Sequence, residues 1–257
     1  MSENYMVEMT GIKKRFSGVK ALDGVELKIR PGEVHALIGE NGAGKSTLMK
    51  ILGGAYTLDE GTIIIEGKEV EIKNPIESAE NGIAVIYQEQ ALVNSLTVAD
   101  NILLGRIPNK LGWINKREQL RRAKAALETV GADFAMDREV GTLTVAQKQF
   151  VEIAKAVSMD AKIIVMDEPS SVLTVSETER MFELVREIKA QGRSIIYISH
   201  RMEEIFEISD RCTVLKDGAF VGMTDTKDID HFGLIKMMTG REITDIYPKK
   251  SKSVGEE

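Results

Sequence analysis

The chain has 257 residues, enough to bury a substantial core, and its 34 basic against 40 acidic residues leave a formal charge of −6. That mildly acidic balance offers no broad basic field for nucleic acid, and no run approaches the ~18 apolar residues that would suggest a membrane span. A single cysteine, Cys212, excludes an internal disulfide, and MSENYMVEMT lacks the basic and apolar segments of a secretory signal. The expectation is a cytoplasmic protein, with any membrane role peripheral.

Taken in chain order, the first thirty residues alternate, as in VELKI at 25–29, and predict half-exposed antiparallel strands. VHALIG at 34–39 is a short apolar run, with a helix expected from Lys45. TIIIEGKEVEI at 62–72 predicts a hairpin turning at Glu66–Lys68, and GIAVIYQ at 82–88 a further short strand. From about 96 to 158 no strand is expected, and the stretch reads as a helical subdomain inserted into an α/β core. Within it, Asn115 with Glu118 opens a helix whose Leu120, Ala123, Leu127 and Val130 share a face, and Gly131 stops it. Thr144 with Gln147 reads as a capping box before a helix that buries Phe150, Ala154 and Val157. Trp113 is expected to pack.

IIVMD at 163–167 and SIIYIS at 194–199 are unbroken β-branched runs, the mark of strands buried on both faces of a parallel sheet. Between them, Ser176 with Glu179 predicts a capping box for a helix running to about Ala190. VLKDGAFVGM at 214–223 closes the strands on an Asp-Gly turn, with Cys212 as a buried, inert thiol. His35 and His231 are assigned to structure. Residues 1–245 form the expected single domain, and the polar stretch 246–257 reads as linker or tail.

Two motifs carry chemistry. GENGAGKST at 39–47 follows an apolar strand and precedes a helix, the context that lets G-x-x-x-x-G-K-[ST] cradle phosphates on backbone N–H groups. Gly39, Asn41, Gly42, Ala43, Gly44 and Thr47 form that cradle. Lys45 supplies a charge for the β and γ phosphates, and Ser46 a hydroxyl for Mg²⁺. MDEP at 166–169 adds Asp167 at a strand end as a second magnesium contact, and Glu168 to orient or deprotonate water. Gln88 and His200 each follow an apolar strand, at the sheet end where α/β proteins bind ligands. Gln88 could ligate the metal through its amide oxygen, and His200 could hydrogen-bond the γ-phosphate.

In this order, KRFSGVKAL, GENGAGKST, Gln88, LTVAQ, IIVMDEP, SVLT and ISH resemble the ATP-binding cassette of ABC transporters over residues 5–245. The resemblance implies a P-loop NTPase core with a RecA-like parallel sheet, an antiparallel β-subdomain and an inserted helical subdomain. It implies ATP and Mg²⁺ as ligands, with Phe16 stacked on adenine. GVKALDGV, VEIAKAV and MDEPSSVLT look like the amino-terminal cassette of bacterial monosaccharide importers of the ribose, galactose and xylose type. In that family two cassettes lie in tandem, and GREITDIYPKK looks like the linker into the second.

Leu143, Thr144, Val145, Ala146 and Gln147 occupy the family's signature, usually L-S-G-G-Q, which caps a helix aimed at the nucleotide of a partner cassette. Thr144 keeps the hydroxyl with added bulk, and Ala146 stands where glycine would allow the closest approach. With Thr174 also replacing the usual aspartate, the expectation is that this chain's own phosphate loop works while LTVAQ serves a weaker second site. Implied partners are that second cassette, permease subunits met through Glu89, Gln90, Leu92 and Val93, and indirectly an extracytoplasmic solute-binding protein. The expected location is therefore the inner face of the membrane, with no nucleic acid bound. A purine nucleoside importer, a translation-associated cassette and a DNA-repair ATPase are the alternatives. The last is disfavoured by the lack of a long coiled coil between phosphate loop and signature.

Overall fold

The computed structural model describes residues 4–88, 91–110 and 113–240. Alternation in the first thirty residues produces a hairpin, β1 (Val7–Phe16) with β2 (Val19–Ile29), in which Val25, Leu27 and Ile29 are buried while Glu26 and Lys28 are partly exposed. β3 (Val34–Ile38) is buried throughout and feeds α1 (Lys45–Leu52). β4 (Glu60–Ile65) and β5 (Lys68–Val70) form the second hairpin, followed by α2 (Pro75–Glu80) and β6 (Ile83–Ile86). Then come α3 (Val98–Ile102), β7 (Asn109–Lys110), β8 (Trp113–Ile114), α4 (Lys116–Thr129) and α5 (Val145–Ser158). β9 (Ile163–Asp167), α6 (Val175–Ala190), β10 (Ser194–Ile198) and α7 (Met202–Ile208) return to the core. β11 (Arg211–Lys216), β12 (Ala219–Asp225) and α8 (His231–Thr239) follow. Three hairpins turn on the pairs Ser17–Gly18, Glu66–Gly67 and Asp217–Gly218, with both φ values positive, the geometry that matches strand twist.

The strands sort into a four-stranded antiparallel sheet, β2-β1-β4-β5, and a six-stranded sheet, β12-β11-β3-β10-β9-β6, parallel except for β12. Two apolar cores follow. One lies between the antiparallel sheet, α1 and the near face of the large sheet; the other joins its far face to α3–α8. Strands of the large sheet are covered on both sides, which is why they read as continuous apolar runs rather than alternations. Among the described residues no helix is long and apolar enough to cross a membrane.

Three expectations need correction. The 96–158 stretch does contain strand, the two-residue ribbon β7–β8, and Trp113 on it is 82% exposed rather than packed. Its neighbour Ile114 is 59% exposed as well, so a two-residue strand leaves both apolar side chains of β8 in solvent. The cap of α6 is Thr174 with Glu177, two residues before the expected Ser176 with Glu179. T-V-S-E and S-E-T-E are overlapping capping-box patterns, and Leu173, packed against the core just before Thr174, selects the earlier one. The tail at 246–257 lies outside the described residues, as do Glu89 and Gln90. His35 is structural as expected, fully buried with Nδ1 on Glu33 at 3.0 Å and Nε2 on Thr213 at 2.7 Å. His231 opens α8 with its ring stacked on Phe206 at 4.1 Å, and burial pushes the Cys212 thiol up to about 11.

The segment after Gln88 is pinned by side chains rather than by sheet. Asn101 on α3 is fully buried; its Oδ1 accepts from the Val93 N–H at 2.8 Å, and its Nδ2 donates to the carbonyls of Val93 and Thr97, each at 3.0 Å. Glu152 on α5 accepts from the Ala91 N–H at 2.8 Å. Replacing a buried amide by an apolar side chain strands its partners at ~1–3 kcal/mol. Asn101→Leu is therefore expected to lower unfolding free energy by about 2 kcal/mol and the thermal midpoint by several degrees. A loss below about 0.5 kcal/mol in denaturant titration would show that this amide does not hold the segment.

Candidate functional site

Four strands of the large sheet end at one edge. In register, Ile198 lies beside both Leu37 and Asp167, and Met166 lies beside Ile86. The residues that follow, 39–47 after β3, Gln88 after β6, Glu168 after β9 and His200 after β10, are thereby delivered to the same edge. Residues 41–47, Gln88, Asp167, Glu168 and His200 line a cavity of about 690 Å³ together with Val19, Lys20 and Ala21 from the first hairpin, while Gly39 lies outside that lining and offers its carbonyl to Lys45.

The loop is built to receive an anion. Side chains of Asn74, Thr97, Asn115, Thr144, Thr174 and Asp230 cap six other helices, whereas α1 has no side-chain cap and no acid in its first turn. Its N-terminal N–H groups and positive dipole end therefore face the cavity with no carboxylate from the helix's own first turn competing for them. Gly44 is obligatory there: φ is 98°, and a Cβ would stand 2.6 Å from Leu22 and 2.9 Å from the Ala21 carbonyl of β2. Lys45 Nζ donates to the Gly39 and Glu40 carbonyls at 2.7 and 3.1 Å, so the ammonium curls over the loop it would share with phosphate. Burial lowers its pKa, while Glu168 and Asp167 partly restore it.

Opposite the loop, burial is the main force raising the Asp167 pKa; the Ser46 hydroxyl donates to it and opposes the rise, and neighbouring Glu168 adds to it. Glu168 sits at φ 49°, a strained position for a non-glycine residue, with its N–H on the Ile198 carbonyl at 3.0 Å. Its Oε1 lies 3.2 Å from His200 Nδ1, and its Oε2 accepts from Gln88 Nε2 at 3.4 Å. With the Gln88 nitrogen so engaged, its amide oxygen is the atom suited to a cation. Among the described residues no group of three His, Cys, Asp or Glu side chains could hold a metal alone. The available donors are the Ser46 hydroxyl, one or two carboxylates and an amide oxygen, a hard-oxygen set that suits Mg²⁺ sharing its shell with ligand phosphates. A divalent cation would also relieve the unfavourable charge on Asp167, so the residues fit that ion.

Of the expected adenine and signature residues, none joins this cavity. Phe16 pairs across the hairpin with Val19, but it is Val19 that reaches the cavity wall; the Phe16 ring packs edge-on to Tyr56 at 5.0 Å. Leu143 is buried. Thr144, Ala146 and Gln147 line a separate cavity of about 290 Å³ with Phe150, Glu177 and Arg180. Val145 lines a third, about 270 Å³, that touches Gln88 and Glu168 from the other side. The capping box is complete: the Gln147 N–H donates to Thr144 Oγ1 at 3.2 Å, and the Thr144 N–H to Gln147 Oε1 at 3.1 Å. Val19, Lys20 and Ala21 are lining residues that the sequence reading misses, since an alternating strand gives no signal that one end will meet a loop in another sheet.

A model of the ABC transporter family matches residues 22–171. The chain is 51% identical over 253 residues to a ribose import ATP-binding protein of Clostridium perfringens, covering 98% of this chain and 50% of that one. It is 48% identical over 246 residues to an arabinose import ATP-binding protein of Burkholderia cenocepacia, covering 95% and 49%. The chain thus spans about half the length of these curated relatives. A solved nucleotide-free ATP-binding cassette from an ABC transporter superposes with TM-score 0.81 at 30% identity, over 90% of this chain and 97% of that one. A second cassette, in an ADP conformation, gives 0.81 at 30% identity, over 92% and 99%. Loop, carboxylate strand and inserted helices therefore stand in one familiar arrangement, and the chain belongs to the ATP-binding cassettes of the ABC transporter family.

Proposed function

We propose that this chain binds Mg·ATP on the 39–47 loop and hydrolyses it when a second cassette covers the γ-phosphate, driving a monosaccharide importer. One observation carries the reading. Lys45, Ser46, Gln88, Asp167, Glu168 and His200 converge on a single cavity, while Thr144, Ala146 and Gln147 line another. The first set can hold and attack a nucleotide; the second is a capped helix start suited to a nucleotide bound elsewhere. The names of the ribose and arabinose relatives favour a sugar over a nucleoside as cargo. Other chains would choose the solute.

In this mechanism Glu168 holds the attacking water and accepts its proton, while His200, with Nδ1 3.2 Å from that carboxylate, holds it in place before nucleotide arrives and would turn its one N–H to the γ-phosphate once ATP is bound. Lys45 leaves the loop carbonyls for phosphate oxygens. Gly42–Thr47 supply backbone donors, and Phe16 would need to rotate from Tyr56 to stack on adenine. Bound Mg²⁺, held by Ser46, Asp167 and Gln88, would neutralise charge on the leaving phosphates. Glu168→Gln is expected to keep ATP binding and lose about 10²–10⁴-fold in turnover, whereas Lys45→Ala should lose binding itself. Hydrolysis followed against protein concentration tests the need for a second cassette. A rate per molecule independent of concentration, with Glu168→Gln still active, would sink the reading.

Asp167 gives an independent check. Its folded-state pKa is raised, so the folded chain holds a proton more tightly than the unfolded one, and stability is lost as pH rises through that value. Asp167→Asn should melt a few degrees above the parent at pH 7.5, with the gap closing as pH falls toward the ordinary carboxylate value near ~3.9. Magnesium-dependent hydrolysis should disappear. A lower midpoint at pH 7.5 would mean that the Ser46 hydrogen bond outweighs desolvation.

The permease would dock at the segment after Gln88. Val93 is 40% exposed, whereas Leu92 packs against the helical core, so Val93→Arg separates docking from folding better than a change at Leu92. Val93→Arg is expected to abolish transport by the assembled importer while sparing ATP binding; undiminished uptake would remove this contact.

A further inference from the structure

Behind the cavity, a buried carboxylate ties together the segments that carry Glu168 and His200. Glu204, on α7, is 2% exposed. Its two oxygens accept from Ser170 Oγ at 2.6 and 2.7 Å, Oε2 also accepts from Tyr197 OH at 3.0 Å and Ser199 Oγ at 2.8 Å, and Arg201 Nη1 pairs with Oε1 at 2.9 Å. Ser170 follows Glu168 by two residues; Ser199 and Arg201 flank His200. Ser199 does more than donate, since its hydroxyl also accepts the Arg201 N–H at 3.0 Å and so sets the turn that carries His200.

We infer that Glu204 is the positioning residue for hydrolysis, one buried carboxylate that locks the segment after β9 to the segment after β10 and so holds Glu168 and His200 in register. The inference rests on reading those two as the hydrolytic pair. Its physical basis is the chemistry of an ionised carboxylate, an acceptor with room for about four donors, placed where two loops must share one anchor. A neutral apolar residue could fill the same volume but would leave each loop to its own backbone bonds. Glu168, at φ 49°, is a residue whose conformation needs such outside support. Burial and the charge of Glu204 also push the Tyr197 hydroxyl above its ordinary range, so it stays a donor.

The test is Glu204→Gln in this chain. The side chain keeps its shape, but one acceptor oxygen becomes an amide N–H₂ facing donors. The sequence has three histidines, so imidazole proton resonances can be assigned by single substitutions and His200 followed directly. Glu204→Gln should melt cooperatively and bind Mg·ATP about as tightly as the parent. Its turnover should fall about 10- to 100-fold at unchanged KM. The His200 resonance should move or broaden while that of His231 stays in place. Glu204→Asp should recover part of the turnover.

An unmoved His200 resonance with parental turnover would overturn the assignment. Should Glu204→Gln fail to fold, the pair Ser170→Ala and Ser199→Ala cuts the tie to the segment after β9 and leaves the segment after β10 held by Arg201 alone, with Tyr197 still on the carboxylate. The same His200 displacement is then expected, and its absence would be equally decisive. If the parent binds ATP but does not hydrolyse it even with a second cassette present, the functional proposal fails, while the His200 resonance still reads the tether.

Discussion

The site depends on one constraint, the parallel register of β3, β10, β9 and β6. Asp167 stands level with Ile198, which stands level with Leu37, and Met166 with Ile86. Because side chains alternate with period two, slipping any of these strands by one residue would exchange the side chains between its two packed faces and shift the residues that follow it off the shared edge. Covered on both faces, the strands have no solvent side on which such an error could be tolerated. Apolar packing thus fixes to within a residue where the polar residues of four separate segments emerge.

What emerges there is electrostatically unsettled. Burial holds the Asp167 carboxyl above its usual range and Lys45 below its own, each partly compensated by the other's charge. The α1 helix presents an N-terminus with neither a side-chain cap nor an acid in its first turn; α7 also lacks a cap but carries Glu203 and Glu204 there, and six others are closed by side chains. Unpaired anion seat, displaced ammonium and strained Glu168 all lie along one cavity. Each is a departure from what stability alone would select, and a phosphate with a divalent cation would relieve the charges together. Such coincidence of local costs in one place is the physical signature of a binding site.

How much of this was legible depended on how local the signal was. The 39–47 loop, the Asp167–Glu168 strand end and the Thr144–Gln147 capping box could be read because each is a short motif whose geometry is set by its immediate neighbours. Gln88 and His200 were found by position at strand ends, since the sheet topology lay implicit in the unbroken apolar runs. Trp113 and the α6 cap were misjudged for opposite reasons. Trp113 was assigned by residue type, while its exposure is decided by a ribbon too short to read. The α6 cap had two overlapping patterns, and only the burial of Leu173 distinguishes them. Glu204 gave no signal at all: an acid on a short helix is ordinary until Ser170, Tyr197, Ser199 and Arg201 are seen around it.

The capping box at Thr144 bears on whether LTVAQ can serve two purposes. A cap uses a lone pair of the hydroxyl, accepting the Gln147 N–H, and the Gln147 carbonyl oxygen answers with the Thr144 N–H. Neither bond consumes the hydroxyl proton, so Thr144 can stabilise its own helix and still donate to an outside anion. The bulk is a different matter. Ala146 is buried against the cavity it shares with Phe150 and Arg180, so its methyl group is already accommodated within this chain. Any penalty of replacing glycine there falls on the approach of a partner rather than on folding. A change at this loop would therefore register at the proposed partner site and not in this chain's own stability.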